Sequence, residues 1–148
     1  FLYRASAMQF EGIFTPIVTP YHNDFSLNCD ALAETVEHLI AAGVHGIVVA
    51  GSTGEYYAQD PEERLEMMAK CAGLIDGRVP VVIGTGAIRT EDSIMYAKAA
   101  KEAGADALLV STPPYAYPTG REIALHALAV DRAANLPVML LTIPVECL

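Results

Sequence analysis

The sequence predicts an α/β fold on a parallel sheet, and three observations carry that prediction. Short apolar runs alternate with amphipathic stretches along the chain. The unit strand, loop, helix, then Gly or Pro recurs at roughly 25–35 residues, the spacing of βαβ units. The apolar runs are β-branched and uncharged, as in strands covered on both faces. Small polar residues follow several of these runs, at the strand ends where α/β proteins bind ligands.

Taken in order, Ile13 to Thr19 reads as the first strand. Asp30 to Ala42 reads as a helix with Leu32, Val36, Leu39 and Ile40 on one face and Gly43 ending it. Gly46 to Ala50 is the second strand, opening into Gly51-Ser52-Thr53-Gly54-Glu55. Glu62 to Ile75 is the second helix: Asp60 can cap it, Pro61 suits its first turn, and Glu62 and Glu63 suit its positive end. Val81 to Ile83 is the third strand, ending at Gly84-Thr85-Gly86. Thr90 is expected to cap a third helix that Gly104 ends. Ala107 to Val110, Glu122 to Ala134 and Pro137 to Leu141 complete a fourth strand, a fourth helix and a fifth strand.

Two architectures suit five such units, an open doubly wound sheet and the first part of a (β/α)8 (TIM) barrel, which normally needs about 250 residues. The loop after the first strand, Thr19-Pro20-Tyr21-His22-Asn23-Asp24, has no glycine and so no dinucleotide fingerprint. No phosphate-binding GxxxxGK[ST] loop occurs. Hydroxyl and aromatic residues instead follow the strands: Thr15 and Thr19, Ser52 and Thr53, Thr85, Ser111 and Thr112, Tyr115, Thr142. A ring of small polar groups favours a barrel mouth, so the expected fold is an incomplete barrel of five strands and four helices.

Composition narrows the function classes. A net charge of −9 argues against nucleic acid as a partner. No run approaches the roughly 18 apolar residues of a membrane span. Cys29, Cys71 and Cys147 lack metal-like spacing and suggest free thiols, hence a cytoplasmic location. There is no HxH or HExxH pair, so no metal is expected, and no cofactor is implied. Phe1 to Ala7 reads as a tag scar or upstream leader before Met8, leaving residues 8–148 as one domain.

Phe14-Thr15-Pro16-Ile17-Val18-Thr19-Pro20, Gly51-Ser52-Thr53-Gly54-Glu55, Gly84-Thr85-Gly86, Thr112-Pro113-Pro114-Tyr115 with Pro118, and Leu136-Pro137-Val138 form a collinear set. The set resembles the dihydrodipicolinate synthase / N-acetylneuraminate lyase family and covers about residues 9 to 144. The resemblance implies a (β/α)8 barrel, usually a homotetramer, acting as a Schiff-base (class I) aldolase or lyase on pyruvate or another 2-oxo acid. A dihydrodipicolinate-synthase-like activity is the default, and Ser52 also suits sialic-acid and sugar-acid lyases. By position, Thr53 would bind the substrate carboxylate, Ser52 would bind substrate and relay protons, and Tyr115 would be a catalytic tyrosine shared across a subunit interface. Tyr117 is its rival.

The resemblance also fails in places. The family's fifth strand ends Tyr-Asn-x-Pro, whereas here the register is Leu141-Thr142-Ile143-Pro144, and a family arginine is replaced by Glu146. The imine-forming lysine has no counterpart, because Lys70, Lys98 and Lys101 all fall on helices. These departures suggest a truncated or frameshifted, inactive chain, or a noncatalytic paralogue that assembles with full-length subunits. An isolated partial barrel would also leave strand edges unpaired and be poorly stable or associate.

Other residues have plainer expectations. Glu55 is expected to accept loop N–H bonds, and Tyr56 and Tyr57 to line the mouth or pack on a neighbour. Met67 and Met68 are expected in the core, and His22 in the loop after the first strand, where contact with substrate is the less favoured of its two readings. His38, His45 and His126 are expected at the surface or as caps.

Overall fold

The computed structural model describes residues 8–114 and 117–142. Five strands, β1 (Phe14–Pro16), β2 (Gly46–Val49), β3 (Val81–Gly84), β4 (Ala107–Ser111) and β5 (Val138–Leu141), alternate with four helices. The helices are α1 (Cys29–Ala41), α2 (Pro61–Ile75), α3 (Thr90–Ala103) and α4 (Gly120–Ala134). All neighbouring strands pair parallel, in the order β1-β2-β3-β4-β5. That order decides between the two architectures. A doubly wound sheet reverses direction at a switch point, whereas a barrel adds each strand beside the last. The chain forms half of a barrel.

Strand alternation sorts the apolar residues. Ile47 and Val49, Val81 and Ile83, and Leu108 and Val110 face the helices with Leu32, Val36, Met67, Met68, Cys71, Ile75 and Val130. Val48, Val82 and Ala107 face the opposite, barrel-interior side with Phe14 and Leu109. Met67 and Met68 therefore belong to the core as expected. Burial pushes the Cys71 thiol up to about 12, so it stays protonated at neutral pH. At the base of the sheet, Val81 N–H donates to the Asp106 carboxylate at 2.9 Å and Asp106 N–H returns a bond to Val81 O at 2.9 Å.

Local boundaries follow capping chemistry. Asp60 caps α2 in a reciprocal box with Glu63, and Pro61 opens the helix. Asn28 starts α1, and Thr119 boxes with Glu122 to start α4 two residues earlier than expected. β1 is shorter than the Ile13 to Thr19 run. Pro16 has no N–H to donate to the ladder, and Ile17 N–H continues it to Val48 O at 3.0 Å. β2 stops at Val49 because Ala50 turns into the left-handed region, with φ 54°.

Two expectations on α3 and α4 are corrected together. Thr90 does not cap α3: it is the first helical residue, and the cap position is Arg89, without a side-chain bond. The Thr90 hydroxyl instead lies 3.0 Å from His126 Nδ1 on α4. His126 is not at the surface but buried, 5% exposed. A tertiary partner has outcompeted the local N–H for the hydroxyl. His126 Nε2 has no partner among the described residues, and burial lowers the imidazole pKa from its ordinary 6.5.

This predicts a stability loss on acidification. The unfolded imidazole takes up its proton near pH 6.5, and the buried one resists it to lower pH. The contribution is complete above about pH 6.5 and is lost as pH falls from there toward the folded-state value. The urea midpoint should fall between pH 7.5 and 5.5, and His126→Gln should flatten that slope. An equal slope in the variant would exclude His126 as its source.

Candidate active site

At its C-terminal end β2 makes a sharp exit. Ala50 and Glu55 both adopt left-handed backbone, and between them Ser52–Gly54 closes a 3-10 turn. Gly54 N–H bonds Gly51 O at 3.0 Å, and Glu55 N–H bonds Ser52 O at 3.1 Å. A second short turn, Tyr56–Ala58, follows directly. The Thr19 hydroxyl holds this segment from below, donating to Gly54 O at 2.8 Å. Gln59 Nε2 donates to Tyr21 Oη at 3.0 Å and Thr19 Oγ1 at 3.3 Å. Glu55 is exposed, and no loop N–H bonds its carboxylate among the described residues. Its place is set by its backbone conformation.

The exits of β2, β3, β4 and β5 enclose a cavity of about 240 Å³. Gly51 and Ser52 come from β2, Gly84 and Gly86 from β3, Ser111 and Thr112 from β4, and Leu141 and Thr142 from β5. Tyr56, Tyr117, Pro118 and Ile123 close the outer side. Among the described residues, none that lines the cavity carries a formal charge. Ser111 Oγ is buried without a hydrogen-bond partner among the described residues.

Of the predicted site residues, Ser52 stands in the cavity wall, and Thr53, next along the turn, is exposed and is not part of the lining. Tyr115 lies outside the described residues, as do residues 1–7 and Glu146. Tyr117 lines the cavity with φ 44° and 66% exposure. Leu141, at the fifth-strand position compared with the family tyrosine, pairs with Ser111 and lines the cavity. The hydroxyl ring is only partly a cavity ring. Ser52, Ser111, Thr112 and Thr142 line it, whereas Thr19 braces a turn and Thr85 is buried with its hydroxyl toward Leu109 O. His22 sits in the exposed loop after β1, outside the lining.

The three lysines occupy outer helix surfaces. Lys70 pairs with Glu66 at 3.4 Å, Lys101 donates to Ala134 O at 2.7 Å, and Lys98 lies in a groove with Leu65, Ile94 and Met95. Among the described residues no group of three or more His, Cys, Asp or Glu is placed to hold a metal ion. No described helix is long and apolar enough to cross a membrane.

Arg64 was not singled out from the sequence. It is 3% exposed on the inner face of α2. Nη1 donates to Gly86 O at 2.8 Å and Nη2 to Gly84 O at 2.9 Å. Its guanidinium lies 4.6 Å from the Tyr56 ring centre and 3.9 Å from that of Tyr96. Burial lowers its pKa from the ordinary arginine value, but an arginine stays cationic at neutral pH. The available signal was its spacing, one helical turn before Met67 and Met68 on the apolar face of α2.

A model of the dihydrodipicolinate synthetase family matches residues 9–147. The 4-hydroxy-tetrahydrodipicolinate synthase of Ehrlichia canis is 34% identical over 139 residues, covering 94% of this chain and 47% of that enzyme. The chloride-inhibited dihydrodipicolinate synthase of Acinetobacter baumannii, solved in complex with pyruvate, superposes with a TM-score of 0.88 at 35% identity, over 92% of this chain and 47% of that one. YagE, a protein of the same family from E. coli also solved with pyruvate, gives 0.87 at 34% identity, over 90% and 45%. The chain thus spans about half the length of the relatives it matches. With the strand order, the β2 exit and this match in agreement, the chain belongs to the dihydrodipicolinate synthetase family.

Proposed function

We propose that the whole protein is a Schiff-base lyase acting on pyruvate or a related 2-oxo acid, with 4-hydroxy-tetrahydrodipicolinate synthase-like chemistry as the leading reaction. The observation that carries this reading is the cavity at the strand exits, walled by Ser52 and further hydroxyls and without a charged residue among the described ones. Thr53 would bind the substrate carboxylate through its hydroxyl and backbone N–H, and Ser52, in the cavity wall, would bind substrate beside it and relay protons. Tyr115 would complete the relay from a neighbouring subunit of a homotetramer. The location would be cytoplasmic.

The imine is assigned to none of the three lysines in this chain. A Schiff-base lysine must be desolvated beside the substrate, and Lys70 and Lys101 are engaged on the outer helices. Leu141 in the cavity wall has no proton to move, which favours the second reading, that this chain binds and assembles without turning over.

Pyruvate should therefore bind reversibly, and borohydride reduction should leave no pyruvyl-lysine adduct in the mass spectrum. Ser52→Ala should weaken pyruvate about tenfold or more, since a bond to a charged group is worth about 1.5–3 kcal/mol, with an unchanged melt because Ser52 is exposed. A stable adduct would refute the assignment of the lysines. Pyruvate affinity unaffected by Ser52→Ala would refute the site.

A further inference from the structure

We propose that Arg64 is a positioning residue that keeps an unneutralised positive charge behind the cavity wall, so that the cavity prefers anionic ligands. The proposal deepens the reading of the site given above and rests on it for the identity of the anion. No carboxylate pairs with Arg64 among the described residues. Its Nε has no hydrogen-bond partner there either. A buried cation normally keeps a carboxylate beside it, because leaving water is expensive for a charge. Here two backbone carbonyls and two aromatic faces replace the carboxylate, and none of them cancels a full charge.

The placement makes the charge useful. Gly84 and Gly86, whose carbonyls receive the guanidinium, both line the cavity, and so does Tyr56. Arg64 thus stands one peptide layer behind the wall, and shielding from water keeps its field strong there. The chain as a whole carries −9, which repels small anions. Among the described residues, the cavity lining contributes no charge to offset that. Among the described residues, Arg64 is the cation that reverses the sign locally, while Ser52 supplies the directional hydrogen bond.

The test is equilibrium titration of the full chain by NMR with four ligands: pyruvate, its neutral methyl ester, propionate and methyl propionate. The wild type should bind pyruvate about tenfold more tightly than methyl pyruvate, a difference of about 1.4 kcal/mol. Arg64→Met should abolish that preference while leaving the ester within about twofold, and Arg64→Lys should retain much of it. Tyr96→Glu places a carboxylate beside the guanidinium without removing Arg64, and should lose the preference where Tyr96→Gln keeps it. This pair decides the matter if Arg64→Met does not fold.

A purely structural clamp would lower the melting temperature of Arg64→Met without touching the ratio of acid to ester. An unchanged ratio in folded Arg64→Met, equal ratios in Tyr96→Glu and Tyr96→Gln, or no preference in the wild type would each overturn the proposal. If propionate is preferred over its ester through Arg64 but pyruvate gains nothing over propionate, the role of Arg64 stands and the 2-oxo-acid reading fails. If pyruvate beats propionate in every variant while the ester ratio ignores Arg64, the reverse holds.

Discussion

Gly84→Ala is expected to destabilise the fold by about 3 kcal/mol or more, at or above the upper end of the usual cost of overpacking. A side-chain carbon at Gly84 would overlap the carbonyl oxygen of Ala50, with the carbonyl carbon 2.8 Å and Gly51 N 3.3 Å away. These are backbone atoms, so no rotamer change relieves the contact. Ala50 cannot easily retreat, because it already sits at φ 54° to steer β2 into its turn. Gly84 cannot retreat either, being paired with Leu109 on β4 and bonded through its carbonyl to Arg64. The variant should lose a large part of a stability that is typically only about 5–15 kcal/mol for a whole domain. Urea denaturation followed by circular dichroism measures it. An unshifted midpoint would mean that the exits of β2 and β3 stand further apart than described.

The second large effect belongs to the same triplet but falls on the site. At Gly86 an added carbon would lie 2.5 Å from Ser111 Oγ and 2.9 Å from the end of the Tyr56 ring. Those neighbours are side chains, so the fold can yield, at about 1–3 kcal/mol. Yielding means pushing the Tyr56 ring against its seat on the Arg64 guanidinium and intruding on the cavity that Gly86 lines. Gly86→Ala should therefore stay folded and lose pyruvate binding by more than tenfold. Retained affinity in the folded variant would show that ligand does not occupy the space between Gly86, Ser111 and Tyr56.

These two glycines show what reading residues in order can and cannot reach. Gly84-Thr85-Gly86 was legible as a strand exit, and its membership in a collinear family pattern was legible too. That one glycine protects the fold and the other the site was not. The distinction depends on Ala50 and Ser111, which are distant in sequence and are brought close only by parallel pairing. The hydroxyl ring had the same limit. Ser52, Ser111, Thr112 and Thr142 reached the cavity, but Thr19 turned to brace Gly54 and Thr85 turned to Leu109.

Capping shows the competition most directly. Asp60 acted as expected because its partner, Glu63, lies three residues along the same helix. Thr90 had an equally good local opportunity and lost it to His126, 36 residues away. Arg64 carries the same lesson in reverse. Its position on the apolar face of α2 was visible in the spacing from Met67, but a charge on such a face has no meaning until its partners are known.

The sequence by itself determined the alternation of strands and helices, the apolar strand cores and the family pattern, because each rests on residues close together in the chain or on their order. Tertiary structure alone decided the strand order, the burial of His126, the cavity with Leu141 in its wall, and the cation behind it. Those features depend on packing between elements distant in sequence, where a side chain meets whichever neighbour best compensates its loss of water.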